Sequence, residues 1–282
     1  MLFSVIVPFL NEAPFISSCI KALMNQDFNK DDYELIFIDN GSTDGSWEIA
    51  EQFQGAILLS EHKKNPYLAR NNALRLAQGS IIAFTDADCT VCGDWLKQIY
   101  GCIQKTDADI VLGERLFPRG SCVLRLLQDY ENTKAQRVIA WAESQFLFAY
   151  ANNMAVRTTI VKNAGGFNER VTVAADTNLL QQCLAQNPSL KIAYSPQMKI
   201  THNEITSAPL WFKKIYSYGT YNELIREKTH YRPLTAKKKI NIFHECAKIN
   251  NYSIFKRFFL LCILIIGDCA YKLGILKRHF FS

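Results

Sequence analysis

The chain has 282 residues, 49% hydrophobic and 21% charged, with a formal net charge of +6. That balance supports a core of ordinary size and excludes a disordered or low-complexity chain. The charge is uneven: from Arg226 to Ser282 twelve Lys and Arg face three acids, a balance of +9, while the first 225 residues balance at −3. A basic tail on an otherwise acidic chain points to an anionic partner for the tail, nucleic acid or a membrane surface. Nine cysteines, an odd number scattered through apolar runs, argue against a disulfide framework and for the reducing cytosol. Cys89 and Cys92 form a CxxC with no second pair at matching spacing, so they read as structural thiols.

The opening "MLFSVIVPFLNE" lacks a basic leader and a small-residue cleavage site, and it reads as a strand over Phe3–Phe9. Helical spacing follows over 13–26, then a strand over Tyr33–Asp39, the turn "NGSTDGS" and a helix from about Trp47. A short strand at 56–60 leads to a helix with Asn65 as N-cap, Pro66 at the first position and Gly79 as its stop. The next strand, "SIIAFTDADC", ends in Asp86 and Asp88. Strands alternating with helices of this length predict right-handed βαβ units, hence an α/β fold with a Rossmann-like, mostly parallel sheet flanked by helices. The stretch 113–153 reads as irregular.

In such sheets ligands bind beyond the carboxyl ends of the strands. Three strand ends carry polar groups here: "PFLNE", "IDNGS" and "FTDAD". Asp39 has the composition of an ordinary turn. Beside Pro8, Asn11 and Glu12 it also becomes a candidate acceptor for the N–H of a base or for ribose hydroxyls. Arg70 lies on the following helix, from which it can be aimed at a base or phosphate. Alternation along a strand points Asp86 and Asp88 to one side. Desolvating two carboxylates needs a positive partner, and hard oxygen ligands suit Mg²⁺ or Mn²⁺ arriving with a nucleotide diphosphate.

Taken together, "SVIVPFLNE", "IDNGSTDGS", "NPYLARNNAL", "FTDADC" and "NAGGFNERVTVAADTNL" resemble an inverting family 2 glycosyltransferase of the GT-A fold, over about residues 3–225. The resemblance implies a nucleotide-sugar donor, usually UDP-linked, and Mn²⁺ or Mg²⁺ at an Asp-x-Asp motif. Pro8, Glu12, Asp39 and Arg70 match nucleotide-contacting positions. Asp86 matches the first carboxylate, near ribose and metal, and Asp88 the metal-ligating second. Asp176 matches the catalytic base that takes the acceptor hydroxyl proton, although Ala175 stands where the pattern commonly has an acid. Alternatively Asp176 is a helix N-cap. His202 occupies a place where related enzymes sometimes supply a metal or diphosphate ligand; a lone His is otherwise a hydrogen-bonded structural residue. The Gln-x-x-Arg-Trp signature of processive synthases is absent, which favours transfer of a single sugar.

The tail, 226–282, lies outside the resemblance and reads as a helical extension. Its apolar run, 258–266, is nine residues, short of the roughly 20 that span a bilayer. An interfacial helix flanked by Lys256, Arg257, Lys277 and Arg278 fits an anionic membrane surface better. The alternative is a core or homodimer-interface helix. The aromatics cluster instead of alternating with basic residues, which excludes nucleic acid as the partner. The reading is thus a glycosyltransferase domain over 1–225 and a membrane-associating or oligomerising extension over 226–282, cytoplasmic and peripheral to the inner face of the cell membrane. The acceptor would be a glycan or lipid-linked hydroxyl. Polyprenyl phosphate as acceptor, or a non-catalytic nucleotide-binding scaffold, are the alternatives.

Overall fold

A computed structural model describes residues 1–63, 65–118, 121–171, 174–220 and 231–281, the last four of these by backbone alone. Thr172 and Val173 of the expected catalytic motif, Arg226 of the tail and the Arg278 side chain lie outside the described residues. The elements in chain order are β1 (Phe3–Phe9), α1 (Ile16–Met24), β2 (Tyr33–Asp39), α2 (Ser46–Glu51), β3 (Ile57–Ser60), α3 (Pro66–Leu76), β4 (Ile81–Thr85), β5 (Cys89–Val91), α4 (Trp95–Thr106), β6 (Ile110–Leu116), α5 (Cys122–Trp141), β7 (Asn153–Arg157), α6 (Thr158–Asn163), α7 (Ala175–Gln186), β8 (Ile192–His202), α8 (Ala208–Thr220), α9 (Ala236–Ile249) and α10 (Ile254–Phe281).

The chain forms two compact units, Met1–Leu116 with Phe148–Asn203, and Phe117–Leu147 with Glu204–Ser282. The first holds one eight-stranded sheet in the order β3-β2-β1-β4-β7-β6-β8-β5. Four of its pairings are parallel (β1–β2, β1–β4, β2–β3, β6–β8) and three antiparallel (β4–β7, β5–β8, β6–β7). β1 is buried throughout, as a central strand covered on both faces must be. Pro8 nonetheless fits there. The β1–β4 register ends at Ile6 opposite Phe84, while β1–β2 pairing continues to Phe9 opposite Asp39. The missing Pro8 N–H thus falls where β4 has already turned away, and the sheet parts at that point.

Asn65 caps α3 as expected, its Oδ1 accepting from the N–H groups of Tyr67 (3.0 Å) and Leu68 (3.3 Å). Gly79 does not stop that helix, which ends at Leu76. A Cβ at Gly79 would lie 2.4 Å from Ser4 N and 2.5 Å from Phe3 C, so this glycine exists to let the chain cross the β1 backbone. The strand expected to run through Asp86 and Asp88 is broken: β4 stops at Thr85, and a turn closed by Cys89 N–H donating to Asp86 C=O (3.0 Å) leads into β5.

The second unit contains the described part of the expected extension together with 117–147 and 204–220. The stretch read as irregular is largely the 20-residue α5, capped by Ser121 Oγ accepting from Leu124 N–H (3.3 Å). Its core gathers Leu124, Leu127 and Tyr130 of α5, Trp211 of α8, Ile242 and Cys246 of α9, and Leu260 and Ile263 of α10. α8 and α10 touch backbone to backbone: Cβ atoms on Gly219 and Gly274 would meet Tyr271 O and Tyr216 O at 2.1 and 2.2 Å.

Helix α10 continues the tail's apolar run at both ends. Among the described residues it is the one helix long and apolar enough to cross a membrane by length and composition, over Ile254–Lys277. Gly267 and Asp268 do not interrupt it, because Asp268 is neutralised by Lys239 of α9 (2.6 Å) and by Lys272 one turn on (2.9 Å). One face packs on its own unit through Leu260 and Ile263, and the other is uncovered: Phe255 (83% exposed), Phe258, Leu261, Ile265, Leu273 and Leu276 all face outward.

Gly79→Ala places a methyl against immovable backbone, a cost of about 1–3 kcal/mol. Its thermal midpoint is expected to fall by several degrees, at about 2–4 °C per kcal/mol. Gly93→Ala, whose Cβ would meet nothing within 4 Å, should stay within a degree or so of the parent. Equal midpoints for the two variants would contradict the close crossing.

Candidate active site

The candidate residues lie in the first unit, around the carboxyl ends of β1, β2 and β4. The loops after β1 and β2 are laced together. Asn11 (φ 56°) accepts from Thr43 N–H at 2.8 Å, Glu12 N–H donates to Ser46 Oγ at 2.7 Å, and Ala13 N–H donates to Asp44 Oδ2 at 3.0 Å. Asp39 holds its own turn, its carboxylate accepting from Gly41 N–H (3.3 Å), Ser42 N–H (3.0 Å) and Ser42 O–H (2.5 Å). The ordinary turn role is therefore real, and the same bonds fix the direction in which Asp39 points.

Arg70 is not a solvated cation. Its side chain is 7% exposed, Nη2 donates to Asp86 Oδ1, and its guanidinium lies 5.8 and 5.7 Å from the ring centres of Tyr67 and Phe167. The positive partner of Asp86 is thus an arginine sixteen residues earlier. The rings continue the packing: Tyr67 stacks on Phe167 (5.8 Å), which meets Phe84 edge-on (5.3 Å). Phe167 is set by Asn71, whose Oδ1 accepts from Phe167 N–H and whose Nδ2 donates to Phe167 C=O, both at 2.8 Å. Gly166 (φ +74°) permits this, since a Cβ there would sit 2.5 Å from Asn71 Oδ1. The "GGFNE" turn is therefore clamped to α3.

Asp88 turns to a different partner. His202 Nδ1 is 3.5 Å from Asp88 Oδ2, and the Cys89 thiol donates to Asp88 Oδ1 at 3.3 Å. Cys89 and His202 are directly opposed in the antiparallel β5–β8 ladder, which puts both side chains on one face. The ligand atoms of Asp88, Cys89 and His202 all lie within 4.8 Å of one another, and Asp86 is not among them. The two carboxylates expected to converge on one cation are divided between Arg70 and His202. A carboxylate oxygen beside an imidazole nitrogen fits a divalent cation that keeps further positions for phosphate oxygens or water. With burial and the charges of Asp88 and Asp86 around it, the Cys89 thiol is pushed well above its ordinary value.

Asp176 is not the N-cap of α7, a place held by Ala174 (φ 55°). It is the second residue of the helix, its Oδ1 accepting from Thr177 N–H (2.8 Å) and Oδ2 from Ala151 N–H (3.1 Å). Burial pushes its carboxyl above the ordinary range; these two N–H groups and the Arg70 charge oppose the rise, and Asp86 adds to it. Tyr67 adjoins it, its phenol pushed up by burial and then by the Asp176 charge. Arg70, Tyr67, Asp86 and Asp176 thus share one electrostatic neighbourhood. Tyr67 and Asn71 were not singled out from the sequence, and Cys89 was read there as a structural thiol. Tyr67 lies one turn before Arg70 in "NPYLARNNAL", where helical spacing was the available signal, and Asn71 directly follows Arg70.

A mixed, mostly parallel eight-stranded sheet with flanking helices is the architecture of GT-A glycosyltransferases. The profile of "Glycosyl transferase family 2" matches residues 4–164, and the chain belongs to that family. Glycosyltransferase AglE of Haloferax volcanii is 32% identical over 198 residues, covering 68% of this chain and 64% of AglE. A poly(ribitol-phosphate) beta-glucosyltransferase of Bacillus spizizenii is 33% identical over 120 residues, 40% of this chain and 19% of that protein. The chain therefore spans less than two thirds of these relatives. Among solved structures, Staphylococcus aureus TarS (TM-score 0.60, 18% identity, 98% of this chain and 55% of that one) shares the fold. So does a mannosyltransferase of Pyrobaculum calidifontis crystallised with GDP-Man and Mn²⁺ (TM-score 0.62, 20% identity, 95% and 73%).

Asp86→Ala strands the Arg70 cation among aromatic rings, a loss of about 1–3 kcal/mol. Thermal unfolding should show Asp86→Ala below the double variant Arg70→Met/Asp86→Ala, which removes both charges. If the single variant is the more stable of the two, the pair does not hold this corner.

Proposed function

We propose that the protein is a metal-dependent, inverting glycosyltransferase that moves one sugar from a nucleotide-diphosphate sugar, UDP-linked by preference, to a glycan or lipid-linked hydroxyl. The observation that carries this is the neighbourhood of Asp176: a half-buried carboxylate with raised proton affinity, aimed by two backbone N–H groups, beside Arg70 and Asp86. A base with raised affinity is suited to taking the proton of the acceptor hydroxyl as that oxygen attacks the anomeric carbon. The attack comes from the face opposite the leaving diphosphate, which inverts the configuration.

Pro8, Glu12 and Asp39, on the laced loops, line the nucleotide end in this reading. Asp39 is directed by its turn towards the base, and Asp86, held by Arg70, meets the ribose. Asp88 and His202 would hold Mn²⁺ or Mg²⁺ with the diphosphate, where the bound ion supplies charge stabilisation for the leaving group. Donors of this chemistry occur with the shared fold: TarS has been crystallised with UDP and with UDP-GlcNAc, and the Pyrobaculum enzyme with GDP-Man. Relatives named for poly(ribitol-phosphate) acceptors support a polymeric or envelope glycan as acceptor.

The second part of the proposal concerns place. The apolar face of α10, flanked by Lys256, Arg257 and Lys277 and joined by Lys237 at the start of α9, suits the inner, anionic face of the cell membrane. A membrane-held enzyme meets a lipid-linked acceptor in two dimensions. The domain division at about 225 is kept in functional terms, with transfer before it and anchoring after it.

Asp176→Asn is expected to lower transfer by about 10²–10⁴-fold while the UDP-and-Mn²⁺ thermal shift persists, since the base contributes to chemistry and not to nucleotide affinity. In the parent, kcat/KM should fall about tenfold per pH unit once the pH drops below the raised Asp176 value, where the carboxyl becomes protonated. An unaffected Asp176→Asn enzyme, or a flat acid profile, would remove Asp176 from that role. Vesicles containing phosphatidylserine should float with the protein, and Phe255→Asp/Phe258→Asp should stay in the soluble fraction. Equal flotation of both would assign the face to something other than lipid.

A further inference from the structure

The metal end of the site carries a sulfur that hard-cation chemistry does not use. Cys89 is fully buried and stands directly opposite His202 across β5–β8, with its Sγ 3.3 Å from Asp88 Oδ1. With bond lengths of about 2.0–2.2 Å to O and N and about 2.3 Å to S, tetrahedral zinc places its ligand atoms about 3.4–3.6 Å from one another. Here Cys89 Sγ stands 3.3 Å from Asp88 Oδ1 and His202 Nδ1 stands 3.5 Å from Asp88 Oδ2, one on each oxygen of the carboxylate, and the ligand atoms of all three residues fall within 4.8 Å of one another. All three residues are buried, which limits competition from water. One carboxylate, one imidazole and one thiol make a three-protein-ligand set with a fourth position open, and such a set selects zinc-class ions over magnesium or manganese.

We propose that Asp88, Cys89 and His202 form a soft-metal site, in which a thiophilic divalent cation of the zinc class is captured by all three residues and excludes the hard cation used in transfer. On capture the Cys89 S–H bond breaks, a metal–sulfur bond forms, and the proton leaves to solvent. No electron changes hands, so the switch is reversible by chelation. The proposal rests on the reading above for Asp88 and His202 as the metal end of the donor site; Cys89 is what is added. Its consequence is an enzyme silenced by zinc-class ions in proportion to their free concentration, as a single sulfur ligand raises affinity for those ions without raising it for Mg²⁺.

The test uses the full chain without nucleotide, titrated with Cd²⁺, whose bond to a thiolate gives a near-ultraviolet charge-transfer band. The parent should show a tight one-equivalent band that Cys89→Ala lacks. The eight other cysteines, Cys19, Cys92, Cys102, Cys122, Cys183, Cys246, Cys262 and Cys269, contribute equally to both proteins. His202→Gln should keep a band but weaken Cd²⁺ binding at least about tenfold. Identical bands for the parent and Cys89→Ala overturn the proposal. Zinc X-ray absorption on the unmutated protein needs no variant: one sulfur with two or three N/O neighbours supports it, and no sulfur, or two, overturns it. Failure is separable from failure of the transferase reading. Mn²⁺-dependent UDP binding with no Cys89 band sinks the soft-metal site alone, whereas full transfer by Asp176→Asn sinks the mechanism and leaves the cadmium result to stand by itself.

Discussion

A guanidinium taken out of water among aromatic rings must meet an anion, and Arg70 meets Asp86. This ion pair fixes the relation between α3 and the end of β4. The geometry around it follows from that restriction. Tyr67, one turn before Arg70, is held against Phe167. Asn71, one residue after, pins the Phe167 backbone from both its N–H and its C=O. The "GGFNE" turn is therefore an extension of α3 in all but sequence, and α7 with Asp176 follows it after a few residues. Breaking a pair of this kind costs more than replacing it, because the survivor is left charged and poorly solvated.

The sheet supplies the opposite wall. β1 and β4 separate after Ile6, where Pro8 no longer needs a donor, and that gap is where the polar strand ends gather. On the far edge β5 is only three residues long, yet its register against β8 brings Cys89 and Asp88 to His202. A one-residue slip there would turn His202 to the other face. The division of labour between the two aspartates is thus a product of two elements: α3, which claims Asp86, and β8, which claims Asp88.

Much of the sheet was legible because strands buried on both faces read as continuous apolar runs, as Phe3–Phe9 and Tyr33–Asp39 do. Asn65 and Pro66 announced α3 by capping chemistry that is local and therefore visible. What escaped was non-local. Nothing near Gly79 in sequence says that its neighbour is the backbone of Ser4. The Arg70–Asp86 pair spans sixteen residues and the Cys89–His202 pairing more than a hundred, so the partners of both carboxylates were out of reach. α5 was missed for another reason. Its buried positions include Asn132 and Thr133 beside the leucines, which blurs the apolar stripe that marks a helix. In α10, Gly267 and Asp268 looked like an end because Lys239, which neutralises the aspartate, comes from a different helix.

The account turns on where the divalent cation and the diphosphate sit. The most direct measurement is anomalous diffraction at the manganese edge from crystals grown with UDP and Mn²⁺. The prediction is one manganese peak within bonding distance of the Asp88 carboxylate and a His202 nitrogen, with the uracil beside Asp39 and Asp86 still on Arg70. Manganese bound elsewhere with UDP, or UDP seated in the crevice with no metal at Asp88, would contradict it.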